Sequence, residues 1–274
     1  MKRPVMNLLP YREAGRRRAG RLAAVATSLA LVWPAASGAE TAFEVREEAY
    51  RANNLGVALL EQYRHAEAAA AFRRSLEIEP SLTLAQINLA IALFNVPDLE
   101  AAQHEAEIAA RKAPEAPQPE YILGLIARGQ NRVADAKAVF QKVLAQDPND
   151  VGALVNLGQV DLQERDYAAA VGLFQKAEAA EPYNATAVYN LGISLIRSGN
   201  REEGRRMMER FQKLREAGYG TEIGQSYPEQ GRYAEALTSS GAEPELVQAG
   251  TPDVRYDPLP VRRFDRRPSA RCRR

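Results

Sequence analysis

Residues 187–200 read AVYNLGISLIRSGN, and the polar Asn190 stands directly before Leu191-Gly192 in what is otherwise an apolar helical pattern. The triplet recurs as Asn54-Leu55-Gly56 and Asn156-Leu157-Gly158, and with alanine for glycine as Asn88-Leu89-Ala90. These recurrences lie on a ruler of 34 residues: Gly56, Ala90, Gly124, Gly158 and Gly192 are evenly spaced, each preceded by leucine. Ala68, Ala102, Ala136 and Ala170 keep the same interval, with Gly204 in fifth place, and so do Pro80, Pro114, Pro148 and Pro182. Phe72, Phe140 and Phe174 share it, while Ala106 and Met208 take the corresponding places in the second and fifth units. No insertion or deletion disturbs the register between residue 49 and about residue 216. A fixed period of this size marks a stacked repeat, in which each unit buries its apolar face only against its neighbours.

The third unit shows the mechanics. A first helix is expected over about Glu120–Arg128, carrying Leu123, Gly124, Ile126 and Ala127, and a second over about Val133–Gln146. In the second, Ala136, Phe140, Val143 and Leu144 share one face at helical spacing. The small residue after leucine removes bulk where the helices cross, Ala136 does so from the other side, and Phe140 fills the space between neighbouring units. Pro148 cannot continue a helix, so it ends the second one. Polar turns such as Gly129-Gln130-Asn131 and Gly199-Asn200 separate the paired helices.

On these residues the chain resembles the tetratricopeptide repeat (TPR) family. The resemblance implies an all-α, right-handed superhelical solenoid of antiparallel helix pairs. Five units are expected, at 49–82, 83–116, 117–150, 151–184 and 185–218, after a lead-in at 40–48. The usual tryptophan of the first helix is missing from all five, and the second unit, with Ala90 and Ala106, is the weakest. Residues 229–237 (EQGRYAEAL) echo 164–171 (ERDYAAAV), so 219–249 is expected to form a degenerate sixth repeat or capping helix, its first helix broken by Pro228. The fifth unit lacks the closing proline, so its second helix is expected to run to Ala217. The order of segments also resembles exported bacterial proteins in which TPR units precede FG-GAP propeller repeats. One alternative reading is therefore the front part of such a protein; another is a structural solenoid that self-assembles through its open ends.

Charge is segregated along the chain. Residues 1–39 hold seven Lys/Arg against one acid and residues 253–274 hold eight Arg against three Asp, which leaves a net −10 in residues 40–252 out of an overall +1. An acidic repeat region argues against nucleic acid as its partner. Arg16, Arg17, Arg18 and Arg21 precede the uncharged run Leu22–Val32, followed by small residues ending Ser37-Gly38-Ala39. This is the pattern of a secretory signal peptide, 1–39, cleaved before Glu40. The run is too short to span a bilayer, so no stable membrane span is expected, and the mature protein is assigned to the periplasm or the extracellular space. Residues 250–274, with four prolines and many arginines, read as a disordered basic tail.

Chemistry is sparse. The single cysteine, Cys272, permits no intramolecular disulfide, and two histidines, His65 and His104, read as surface residues. No Ser-His-Asp order, phosphate loop or metal-spaced cluster stands out, so no cofactor, metal or catalytic residue is expected. What remains is binding. In TPR solenoids the residue before Leu-Gly points into the concave groove, so the resemblance places Asn54, Asn88, Asn156 and Asn190 in a ladder there. The ladder is similar to that of O-GlcNAc transferases, which holds peptide main chain. An amide offers donors and an acceptor, which suits pairing with main chain whatever its side chains. The bland alternative is that the amides tie neighbouring helices together. Ile122 interrupts the row in the third unit. Tyr121 and Tyr189, one residue upstream of ladder positions, are candidate apolar anchors; Asn53 and Val57 are not the Lys and Asn that a carboxylate clamp requires. The expected partner is a protein or extended peptide segment, with weak self-association the rival.

Overall fold

Four of the five repeats stop where a proline tells them to. Helices α2 (His65–Ile78), α4 (Leu99–Lys112), α6 (Val133–Gln146) and α8 (Tyr167–Ala180) all end two residues before one. The intervening residues Glu79, Ala113, Asp147 and Glu181 share one conformation, φ between −131° and −135° and ψ between 74° and 92°. A proline ring clashes with a helical residue before it and drives that residue into this extended region. The structure, a computed structural model, describes residues 42–239. Residues 1–39, expected to form a signal peptide, and 250–274, expected to form a basic tail, lie outside the described residues.

The partner helices of the hairpins are α1 (Ala42–Glu61), α3 (Thr83–Asn95), α5 (Pro117–Gly129), α7 (Val151–Gln163) and α9 (Ala185–Ser198), and α10 (Arg201–Ala217) closes the fifth pair. Among the described residues there is no strand, and one isolated bridge joins Asn184 to Thr221. Side chains of Asp98, Asp150, Asp166, Asn184 and Asn200 accept from the amide three residues on and start α4, α7, α8, α9 and α10. Within each of four hairpins the turn passes through one left-handed residue, Tyr63, Asn131, Arg165 and Gly199, again in the 34-residue phase.

The hairpins lock by size complementarity. A Cβ placed on Gly56 would lie 2.5 Å from the Phe72 ring, on Gly124 2.7 Å from Phe140, and on Gly158 2.7 Å from Phe174. Each phenylalanine is fully buried on the glycine of its own hairpin, rather than serving mainly as filler between units. The second unit carries Ala90 against Ala106, both buried: where the aromatic ring is absent, so is the need for glycine. In the fifth, Met208 lies over Gly192, and Gly204 approaches Gly192 and Ile196 from the opposite helix. A bulky residue on one helix is met by a small one on its partner, as close-packed interiors require.

Two boundaries differ from expectation. Helix α1 begins at Ala42, so most of the lead-in 40–48 is its opening turns, with Ala49 and Tyr50 packed on Leu82 and Ala85. The larger difference lies at the other end. Helix α10 ends at Ala217, as expected, and Gly218 caps it in the left-handed conformation. The stretch that follows, expected to be a degenerate repeat or capping helix, contains no α-helix as far as residue 239. It has two 3-10 turns, Tyr227–Glu229 and Arg232–Ala234, and is otherwise irregular. Pro228 and the left-handed Gly231 break the helical pattern that the echo of an earlier repeat suggested.

Candidate functional site: a main-chain cradle on the inner face

First helices pack side by side, α1 with α3, α3 with α5, α5 with α7 and α7 with α9. Residues 221–239, here termed the strap, run back across them from α9 towards α1. The strap leaves α10 by pairing with the start of α9: Ala185 N donates to Thr221 O (2.8 Å) and Thr221 N to Tyr183 O (3.1 Å). The Thr186 hydroxyl then accepts from Ile223 N and donates to Ile223 O.

At α5 the strap is pinned. The Tyr121 hydroxyl donates to Gln230 O (2.5 Å). The Gln230 amide donates to Asn95 Oδ1 on α3 (3.0 Å) and to Gln225 O (2.8 Å). Gly231 follows at φ 101°, with its absent Cβ aimed 2.5 Å from the Tyr121 hydroxyl oxygen and 3.3 Å from Gly152 Cα, so no other residue fits. Arg232 then donates from Nε to Asp150 Oδ2 (3.1 Å) and from Nη2 to Asp147 Oδ2. Tyr233 adds a hydroxyl donor to Asp147 (2.8 Å) and lies under the Arg232 guanidinium (4.6 Å). Burial pushes the Asp150 carboxyl up to about 6, against the opposing effect of the Ala153 amide it caps, with Glu181 adding to the rise. Burial likewise raises Tyr121 far above the usual phenol range, and the nearby Asp150 charge adds to that, so its hydroxyl stays a donor. Tyr227 is buried, its hydroxyl accepting from Ala236 N (2.9 Å).

Beyond Ala234 the strap meets the first two ladder residues. Asn88 donates from Nδ2 to Leu237 O (2.7 Å) and accepts from Leu237 N at Oδ1 (2.8 Å). Asn54 does the same for Ser239, donating to its O (2.7 Å) and accepting from its N (3.2 Å). Asn53 links the two: its Oδ1 accepts from Asn88 (2.8 Å), and its Nδ2 donates to Asn54 Oδ1 and Leu237 O (both 3.2 Å). Alternate residues of an extended chain present N–H and C=O on one edge, and each amide closes a two-way pair with one of them.

The other ladder residues do something else. Asn156 is fully buried and donates to Gly152 O (2.8 Å) and the Tyr121 hydroxyl (3.1 Å), while its Oδ1 accepts nothing from the protein. Asn190 donates to Thr186 O one turn back on α9 (2.9 Å). Tyr121 is wholly buried and anchors the strap; Tyr189 is 39 % exposed and packs on Phe211 of α10, ring centres 5.0 Å apart. Asn53 entered the sequence reading only as a poor clamp residue, and Gln230, Arg232, Asp147 and Asp150 were not candidates. Within residues 229–237, Gly231, a glycine inside an apparent helix, is the one whose type signals a break. A cavity of about 510 Å³ remains beside the strap, lined by Arg128, Gln159, Gln163 and Ile223 among others. His65 opens α2 with its Nδ1 against Asn95 O (3.1 Å), tying the first hairpin to the second. Among the described residues no helix is long and apolar enough to cross a membrane.

Tetratricopeptide-repeat models match residues 41–78, 87–151, 121–185 and 161–213. No protein of curated function matches the chain significantly. Among solved structures, residues 41 to the end of MamA from Desulfovibrio magneticus RS-1 superpose at a TM-score of 0.56 and 18 % identity, covering 64 % of this chain and 98 % of that one. A double mutant of MamA RS-1 gives 0.57 at 18 % identity, covering 63 % and 97 %. YrrB, described as a TPR protein with an unusual peptide-binding site, gives 0.51 at 22 % identity, covering 65 % and 94 %. At such identities the likeness speaks to the fold, and fold and repeat models agree. The chain belongs to the tetratricopeptide repeat family.

Proposed function

We propose that the protein is a non-catalytic interaction scaffold whose inner face takes an extended polypeptide segment by its main chain, at the end formed by α1 and α3. The observation that carries this reading is the pair of two-way amide contacts, Asn88 with Leu237 and Asn54 with Ser239, at alternate residues of one extended stretch. An asparagine committed to its own helix would not turn outward to satisfy both main-chain groups of a residue 149 or 185 positions away. The peptide-binding site named for YrrB is consistent with the same use of this architecture. Export through a cleaved signal at 1–39 completes the proposal and places the partner in the cell envelope or outside the cell.

A peptide array tests the groove. Unrelated extended peptides should retain the protein, and Asn54→Ala with Asn88→Ala should lose most of the signal across sequences. Unchanged retention by the double variant overturns the reading. N-terminal sequencing of the protein from a fractionated native host tests export: a chain beginning at Met1 in the cytosol refutes it.

A further inference from the structure

The strap is two devices in series, and they are held differently. Up to Ala234 its attachment depends on side chains: Tyr227, Gln230 and Ala234 are at most 5 % exposed, and Arg232 is gripped by Asp147 and Asp150. From Glu235 to Ser239 every residue is half-buried or exposed. This stretch is hydrogen-bonded through main-chain groups, the N and O of Leu237 and Ser239 on Asn53, Asn54 and Asn88, with the Ala236 amide on Tyr227, and the small Ala236 side chain packs against the core. Groups of this kind are identical in every polypeptide except at proline. At Leu237 and Ser239 the cradle therefore does not distinguish its own residues from those of another extended chain, and the lock at 227–234 keeps its contacts with Asn95, Tyr121, Asp147 and Asp150 whichever chain lies there.

We propose that residues 235–239 are an exchangeable occupant held in cis, and that a partner's extended segment binds by replacing them in the same register on Asn53, Asn54 and Asn88. This deepens the main-chain reading above and rests on it. Exchange conserves the hydrogen bonds: the outgoing chain finds water, the incoming chain inherits both two-way pairs, and the buried amides of Asn53 and Asn88 are paired before and after it. Intramolecular tethering makes the cis segment a strong competitor, because its local concentration is set by the short stretch joining it to the lock. Affinity for an outside chain is reduced by the fraction of time that the cradle is vacant.

The experiment uses the full chain and a probe taken from its own sequence, a fluorescent peptide of residues 234–241 (AEALTSSG). In the full-chain variant Leu237→Pro with Ser239→Pro, both amide donors to the cradle are gone while all ten helices and the lock are untouched; unchanged far-UV circular dichroism verifies this. Fluorescence anisotropy should show the peptide binding the proline variant at least tenfold more tightly than wild type. Adding Asn54→Ala and Asn88→Ala to the proline variant should abolish the gain, and a peptide of scrambled order should bind within a few-fold of the original. Equal binding to wild type and the proline variant, lost on asparagine replacement, overturns cis occupancy and leaves the groove reading standing. Loss with the scrambled peptide overturns replacement by chains of any sequence. Absence of binding to every variant defeats the groove reading and this inference with it.

Discussion

The two halves of the asparagine ladder are alike in sequence and opposite in use. Asn54 and Asn88 reach across the groove to another part of the chain, whereas Asn156 and Asn190 bond to the carbonyl four residues back on their own helices, Gly152 and Thr186. A carbonyl one turn back is always within reach of a short amide, so it is the default partner; an outward bond forms only where main chain lies close enough to occupy donor and acceptor together. The strap supplies that chain at α1 and α3. At α7 it is instead drawn towards Tyr121, Asp150 and Gly152, and Asn156 is left to brace the Tyr121 hydroxyl from behind. Position in the repeat thus sets where an amide sits, and the course of a distant segment sets what it does.

Breaking the lock should have the largest effect on this contrast. Gly231→Val puts a branched side chain at φ 101° against Tyr121 and Gly152 and should cost the docked strap about 3 kcal/mol or more, from backbone strain and overpacking together. Limited proteolysis should then cut within residues 221–239 while the helices resist; a strap as protected as wild type would contradict the geometry.

The lock also contains the groove's most perturbed acid. Since burial raises the Asp150 carboxyl to about 6 in the folded protein, above its ordinary 3.8, the folded state holds a proton that the unfolded state has released. Its contribution to stability is therefore full below about pH 4, is lost as pH rises through about 6, and amounts to about 3 kcal/mol. Asp150→Asn keeps one oxygen to cap Ala153 but gives up the ion pair with Arg232; having no ionisable group there, it should flatten that part of the stability profile between pH 4 and 7 in urea titrations. An undiminished slope in the variant would assign the dependence elsewhere.

Next in size is Asn88→Ala, which leaves both main-chain groups of Leu237 and the Asn53 oxygen without this partner and should weaken the last part of the strap by about 1–3 kcal/mol. Hydrogen exchange at the Leu237 and Ser239 amides should accelerate accordingly, with α9 unaffected. The smallest effect belongs to Asn190→Ala: it loses one bond to its own helix, gains helix propensity, and should change stability by less than about 0.5 kcal/mol. Comparable consequences at Asn88 and Asn190 would erase the distinction between the two halves.

Much of the repeat architecture is legible in the sequence, because its contacts are local and periodic. Gly124 meets Phe140 within one hairpin, each proline acts on the residue just before it, and Ala90 and Ala106 are buried together inside a single unit. The cradle is a mixed case. The period places the four asparagines at one repeat position, and two of the four pair with the main chain of the strap. Asn53 was visible only as a departure from another pattern. The strap was misread because residues 229–237 imitate a repeat helix, while Pro228 and the left-handed Gly231, tight against Tyr121, override that propensity.

The amino-acid sequence by itself determined the count of hairpins, the prolines that end four of them and the recurrence of asparagine at one repeat position, since each depends on neighbours within one period. Only the tertiary structure decided that the chain turns back on itself and fills the α1–α3 end with its own residues 237 and 239. Those bonds join groups 149 and 185 residues apart through main-chain atoms common to every residue, and they leave no mark on side-chain identity.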